Sequence, residues 1–129
     1  MRALIDSHAL IWAVDEPARL GKSAVATLQD PGNELILSIG TAWELAIKVG
    51  LKKLALSTTF KPWMTKAIDD LGLSVLPITV DHADVQAGLP WHHRDPFDRL
   101  LVAQCVVEKI SIVSADTVFD RYVIARIWD

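Results

Sequence analysis

The sequence predicts an α/β domain with a central, mostly parallel sheet, and three observations carry that expectation. Short apolar runs punctuate the chain: RALI (2–5), ELILS (34–38), LSVLPI (73–78) and SIVSAD (111–116). These runs are nearly continuous in apolar character rather than alternating, as strands covered on both faces are. Between them lie stretches with apolar residues at helical spacing, and such alternation of strand and helix builds parallel sheets with helices on both sides.

RALI ends at Asp6-Ser7 and leads into a helix over 8–14, with Ser7 as its expected N-cap. Asp15-Glu16-Pro17 closes that helix. KSAVATLQD (22–30) is the second helix, ended by the turn Pro31-Gly32-Asn33. The strand ELILS precedes a helix over 41–49 that Gly50 terminates. LKKLAL is a basic turn or short helical piece, with Lys52-Lys53 exposed to solvent. TFKPWMTKAIDDL (59–71) is helical, with Pro62 near its first turn and Gly72 at its end. The third strand, 73–78, is followed by a helix over 81–87 and the loop Gly88-Leu89-Pro90. Pro96 to Lys109 forms a long apolar helix that feeds the fourth strand, and ARIW (125–128) is a candidate edge strand. No repeat or linker divides the chain, so residues 1–129 are expected to form a single domain.

Composition narrows the function classes. With 51% hydrophobic and 22% charged residues, the chain is expected to pack rather than stay disordered. No apolar run approaches the roughly 20 residues that span a bilayer. The opening MRALIDSHALIWAVDE is interrupted by Asp6 and His8 and has no small-residue cleavage site, so no secretion signal is expected. The single Cys105 excludes an internal disulfide and a thiolate zinc cluster, and a reducing cytoplasm is its simplest setting. A net charge of −3 gives no global basic signature of nucleic-acid binding. Carboxylates gathered on metal ions would leave the remaining surface less acidic than that total.

Ligands of open parallel sheets bind beyond the carboxyl ends of the strands. Asp6 and Asp116 follow the first and fourth strands, Glu44 lies in TAWELAIK on the helix after the second, and Asp98 lies near the start of the helix feeding the fourth. Each has a structural alternative. Asp6 and Asp116 can end strands or form Asx-turns. Glu44 can pair with Lys48 at i,i+4. Asp95 before Pro96 fits an N-cap, which sets Asp98 at a third helical position that suits a carboxylate. Yet Asp98 shares a face with Leu101, Val102 and Cys105 and is directed inward. Carboxylates forced together repel, and some stay protonated near neutral pH unless a cation intervenes. Oxygen-only ligation favours Mg²⁺ or Mn²⁺ over zinc, and such ions support phosphoryl displacement by lowering the pKa of bound water.

The blocks MRALIDSHALIW, SIGTAWELAIKVGLKKL, HHRDPFDRLLVAQC and IVSADTVFDRY, in that order, resemble the PIN-domain ribonuclease toxins of bacterial VapBC toxin–antitoxin modules. The resemblance runs over nearly the whole chain, and DPFDRLL is its most specific block. It matches Asp6, Glu44, Asp98 and Asp116 to the family's four acidic positions. Ser7 and Ser114 match the hydroxyl residues that often flank them, and Asp95 matches a commonly acidic supporting position. The resemblance implies a three-layer α/β/α fold and dependence on Mg²⁺ or Mn²⁺. It also implies cleavage of single-stranded or loop RNA, a homodimer and a cognate VapB-like antitoxin. Gly40 departs from the pattern, standing where a larger apolar residue is expected, which would loosen the start of the helix that carries Glu44.

His92, His93 and Arg94, helped by Arg99 and Lys48, are candidates for RNA phosphates beside the acids; the alternative is an ordinary exposed loop. His8 is expected to be half-buried and satisfied. Four scattered His without an H-x-x-x-H spacing argue against a His-based zinc site. Trp63 and Met64 fit either the core or a partner surface. Two rivals to the nuclease remain: a non-catalytic RNA-binding or interaction module on the same fold, and a phosphoacceptor receiver. The receiver needs an Asp ending the third strand, where this chain has Pro77-Ile78-Thr79.

Overall fold

The computed structural model describes residues 1–129. Five strands, β1 (Arg2–Ile5), β2 (Glu34–Ser38), β3 (Leu73–Leu76), β4 (Ser111–Val113) and β5 (Arg126–Ile127), form one sheet in the order β3-β2-β1-β4-β5. Every neighbouring pair is parallel, so the sheet is wholly rather than mostly parallel. The helices are α1 (Ser7–Asp15), α2 (Lys22–Gln29), α3 (Ile39–Gly50), α4 (Phe60–Leu71), α5 (Val80–Gly88) and α6 (Pro96–Glu108).

The period of two along each strand sorts the core into two layers. Ala3, Ile5, Leu35, Leu37 and Val113 face one side, where they pack with Leu10, Leu45 and Trp63 from α1, α3 and α4. Leu4, Ile36 and Ile112 face the other, against Leu101, Val102 and Cys105 of α6 and Phe119 and Tyr122 of the following turn. Both faces of the sheet are therefore covered, which completes the three-layer α/β/α arrangement. Trp63 and Met64 are core residues, which removes them as a partner surface; the strongly exposed tryptophans are Trp43 and Trp91. Gly72 closes α4 in the left-handed conformation, with φ 63°.

Several boundaries move for identifiable reasons. Asp6, not Ser7, caps α1, accepting a 2.8 Å hydrogen bond from the Ala9 amide, while Ser7 is the first helical residue. Ser38 caps α3 through the Gly40 amide, so that helix starts two residues before Thr41. Pairing of β3 stops at Leu76, before Pro77, which has no N–H to donate. A bend follows Val113, and Asp116 caps a 3-10 turn over Thr117–Arg121 instead of ending the strand. Gly40 does not loosen α3. A Cβ there would lie 2.3 Å from Cδ2 of Leu100, so its hydrogen lets α3 and α6 approach closely beside the sheet edge.

Candidate active site

Parallel strands send every chain exit in one direction, so the central pair β1 and β4 delivers its following residues to one crevice. The Asp6 amide donates to the Val113 carbonyl at 3.1 Å, extending the β1–β4 ladder by one step. That step holds Asp6 beside Ser114, whose hydroxyl donates to Asp6 Oδ2 at 2.5 Å. The same Ser114 oxygen accepts the Asp116 amide at 3.0 Å, and Asp116 Oδ1 accepts the Val118 amide at 3.0 Å. Ser114 thus fixes both acids. The bend is held from outside by Arg126, which donates to the Ser114 carbonyl at 3.1 Å and grips Asp120 with two nitrogens.

The other two acids come from the helices that meet at Gly40. Glu44 on α3 is buried, and its Oε2 accepts from Lys48 Nζ at 2.7 Å. The i,i+4 pair is therefore present, and it sits inside the site. Asp98 on α6 is 28% exposed, and Asp95 caps its helix by accepting the Phe97 and Asp98 amides at 2.8 and 3.1 Å. Burial pushes the Asp98 carboxyl up to about 7, and the charges of Asp95, Glu44, Asp6 and Asp116 push it the same way. Burial also raises Asp6, against the opposing hydrogen bonds from Ser114 and the Ala9 amide. The hydrogen bond to Glu44 is the main reason that Lys48 is raised, with Asp95 and Asp98 adding to it. Asp98 thus lies within electrostatic reach of Asp6, Glu44 and Asp116, and of these only Asp116 joins Asp98 and His93 in a cluster with ligand atoms within 4.8 Å of one another.

The PIN domain family model matches residues 3–124. The chain belongs to the PIN domain family. This PIN domain is similar in fold to VapBC2 from Rickettsia felis bound to a DNA fragment from its promoter, with a TM-score of 0.68 at 17% identity and 100% of both chains covered. It is also similar to FitAcB from Neisseria gonorrhoeae, with a TM-score of 0.62 at 21% identity, covering 96% of this chain and 95% of that one. A toxin–antitoxin complex from Klebsiella pneumoniae gives a TM-score of 0.56 at 20% identity over 89% and 87% of the two chains. Comparison with curated proteins gives no match.

The loop before α6 of this PIN domain departs most from its expected role. Arg99 is buried and committed: it donates to the carbonyls of Pro90, Gln86 and Leu89 at 2.9, 3.0 and 3.3 Å, and its guanidinium lies 3.7 Å from the Trp91 ring centre. It ties the loop to α6 and has no free face for phosphate. His93 is also buried, with Nδ1 3.6 Å from Asp98 and Nε2 3.6 Å from Asp116, so it stands among the acids rather than on an exposed loop. Its neighbours His92 and Arg94 are exposed. His8 is exposed, not half-buried, with its ring 5.8 Å from that of Trp12. Ser7 is buried at the start of α1, where it lines a groove with His8, Trp12, Arg19, Lys48 and Lys53. A second groove, lined by Asp6, His8, Trp12 and Asp116, shares two of those residues.

Proposed function

We propose that this chain is a metal-dependent endoribonuclease and acts as the toxin of a toxin–antitoxin module. The observation that carries the reading is the convergence of Asp6, Glu44, Asp98 and Asp116, in which Asp98 is driven to about 7 by burial and by its neighbours' charge. A protein that only needed stability would gain from a neutral residue there, because crowded, half-buried like charges destabilise the fold. Membership of the PIN family supports a nuclease, and the solved complexes of similar fold support an antitoxin partner.

The four acids suit a hard divalent cation, Mg²⁺ or Mn²⁺. One such ion, when bound, supplies charge neutralisation at the scissile phosphate and a lowered pKa for water. The chain's own residues do the rest. Ser114 and the Ala9 amide fix the Asp6 carboxylate, and Ser114 and the Val118 amide fix Asp116, so two of the four acids are preorganised without rearrangement. Lys48 donates to Glu44 Oε2 and fixes the position of that carboxylate. Asp98 releases its proton as the site is loaded, so loading strengthens as pH rises toward neutrality. Arg19, Lys48 and Lys53 line the groove next to the acids, with Trp12 between the two grooves. Glu16 and Glu44 pair with Arg19 and Lys48 there, which leaves Lys53 and the Trp12 ring to meet a single-stranded backbone.

The test is cleavage of a mixed set of structured and single-stranded RNAs by antitoxin-free protein, with Mg²⁺, with Mn²⁺ and with EDTA, beside Asp98→Asn. Metal-dependent cleavage that the variant lacks is the expected result. Equal cleavage by parent and folded variant would sink the reading. Co-purification with the product of a neighbouring short reading frame is expected, and should be lost when that product's C-terminal segment is removed.

A further inference from the structure

We propose that His93 is a nitrogen ligand of the metal site, acting with Asp98 and Asp116, and that it biases the centre toward Mn²⁺ over Mg²⁺. The inference rests on reading the acidic cluster as a metal centre, and it adds a donor that the four acids alone do not contain.

The side chain of His93 is only 9% exposed, yet neither ring nitrogen makes a hydrogen bond: the nearest polar atoms are Asp98 Oδ2 and Asp116 Oδ2, each at 3.6 Å. Nε2 is fully buried and without a partner. Buried polar atoms are almost always paired, and an exception calls for an explanation. The chain carries its own control in His82. That ring is also buried, but its Nδ1 accepts the Thr79 amide and its Nε2 meets Glu108, both at 3.0 Å. A histidine kept for structure here is satisfied at both nitrogens, whereas Nε2 of His93 is buried with no partner.

The ring is also held in place. The Tyr122 hydroxyl accepts the His93 amide at 2.8 Å and donates to the Pro90 carbonyl at 3.0 Å. The two rings are parallel within 2°, and Phe119 tilts against His93 at 4.8 Å between ring centres. Arg99 anchors the same loop through Pro90 and Leu89. A ring fixed by packing on one side and aimed between two carboxylates on the other has the form of a preorganised ligand. One ligand atom from each of His93, Asp98 and Asp116 lies within 4.8 Å of the others. Donors bound to one ion at about 2.0–2.2 Å must lie about 3–4 Å apart, so a cation between them needs only small side-chain shifts. Nε2, buried and without a partner, is the donor; Nδ1–H then faces Asp98 Oδ2, which leaves the other Asp98 oxygen for the ion. An imidazole nitrogen suits Mn²⁺ better than Mg²⁺, which prefers oxygen and retains its water.

The experiment uses the full chain loaded with Mn²⁺ and reads nitrogen coupling to the ion by pulsed electron paramagnetic resonance. The parent should show coupling from one histidine nitrogen, lost in His93→Gln and kept in His92→Gln. Labelling the parent with ¹⁵N-histidine should convert the pattern, and this control needs no substitution to fold. Calorimetric titration of the metal-free proteins should show Mn²⁺ affinity reduced about 10–100-fold by His93→Gln, with Mg²⁺ affinity changed much less. Bound Mn²⁺ without histidine coupling in the parent, or equal losses for both ions in the variant, would overturn the assignment and leave the acidic metal centre standing. A parent that binds neither ion would overturn both.

Discussion

Asp15 and Asp98 are carboxylates in opposite circumstances. Asp15, at the end of α1, accepts the Ser57 amide and hydroxyl at 3.1 and 2.6 Å and the Trp63 indole N–H at 3.0 Å. Burial works to raise its pKa, but those hydrogen bonds outweigh it, and the group lies below the usual carboxylate range. Asp98 gains nothing comparable. Burial raises it, four neighbouring carboxylates raise it further, and the cations near it are a histidine 3.6 Å away and Lys48, which is already hydrogen-bonded to Glu44. Three donors around Asp15 clamp the loop after α3 to the start of α4, and this explains its charge completely. No side-chain hydrogen bond compensates the charge of Asp98 as three compensate that of Asp15, which points to something the chain binds.

The largest effect expected from this contrast is on activity. Asp98→Asn keeps the shape of the side chain and removes its charge, so RNA cleavage should fall by about 100-fold or more, beyond what loss of a group that merely orients a ligand costs. Asp15→Asn should leave the rate per folded molecule within about twofold, because it touches no part of the crevice. Rates measured on both proteins under conditions where each is fully folded check this. A comparable loss in Asp15→Asn would erase the distinction.

The second effect is on the pH dependence of stability. Asp98 rises from 3.8 to about 7 on folding, so between those values the native chain holds a proton that the unfolded chain has released. Stability contributed by that group is present below the unfolded value and lost as pH rises through the native one. Asp6 is shifted in the same direction. Metal-free Asp98→Asn should therefore gain in Tm over the parent as pH rises through this window and be the more stable protein at about pH 8. Saturating Mn²⁺ should reverse the order, since only the parent can use the ion fully. Parallel melting curves across that range would show that Asp98 ionises freely.

The third effect belongs to Asp15 alone. Asp15→Ala leaves three donors without their acceptor and should cost about 1–3 kcal/mol in urea unfolding. Mn²⁺ should stabilise this variant by as much as it stabilises the parent.

How much of this contrast the sequence revealed depends on the range of each interaction. Asp6 and Asp116 were legible because each follows a strand, and parallel topology sends those exits to one edge of the sheet, whereas Glu44 lies inside α3 and Asp98 in the first turn of α6. Asp95 was legible as an N-cap because Asp-Pro opening an apolar helix is a local signal. Arg99 and His93 were misjudged because their partners are distant or lack any pattern. Arg99 spends its charge on three backbone carbonyls, which no side-chain motif advertises. His93 is buried by Phe119 and Tyr122 from beyond β4, well outside any local periodicity. Gly40 was misread for a related reason: its use is Leu100, on a helix remote in sequence.

The smallest expected effect decides what Asp95 contributes. Its carboxylate already accepts two amides at the start of α6, so its structural role is accounted for, as that of Asp15 is. It nevertheless ranks directly after burial among the causes that raise Asp98. Asp95→Ser separates the two roles, because a serine caps a helix about as well as an aspartate but carries no charge. Stability should change by no more than about 0.5 kcal/mol, and cleavage by less than about threefold. The pH at which Mn²⁺ binding reaches half its limit should move down, since Asp98 then releases its proton more readily. Calorimetry across pH reads that shift directly. If cleavage instead fell as far as in Asp98→Asn, Asp95 would be a ligand in its own right, and the acid that caps α6 would have to be counted with the acids that hold the ion.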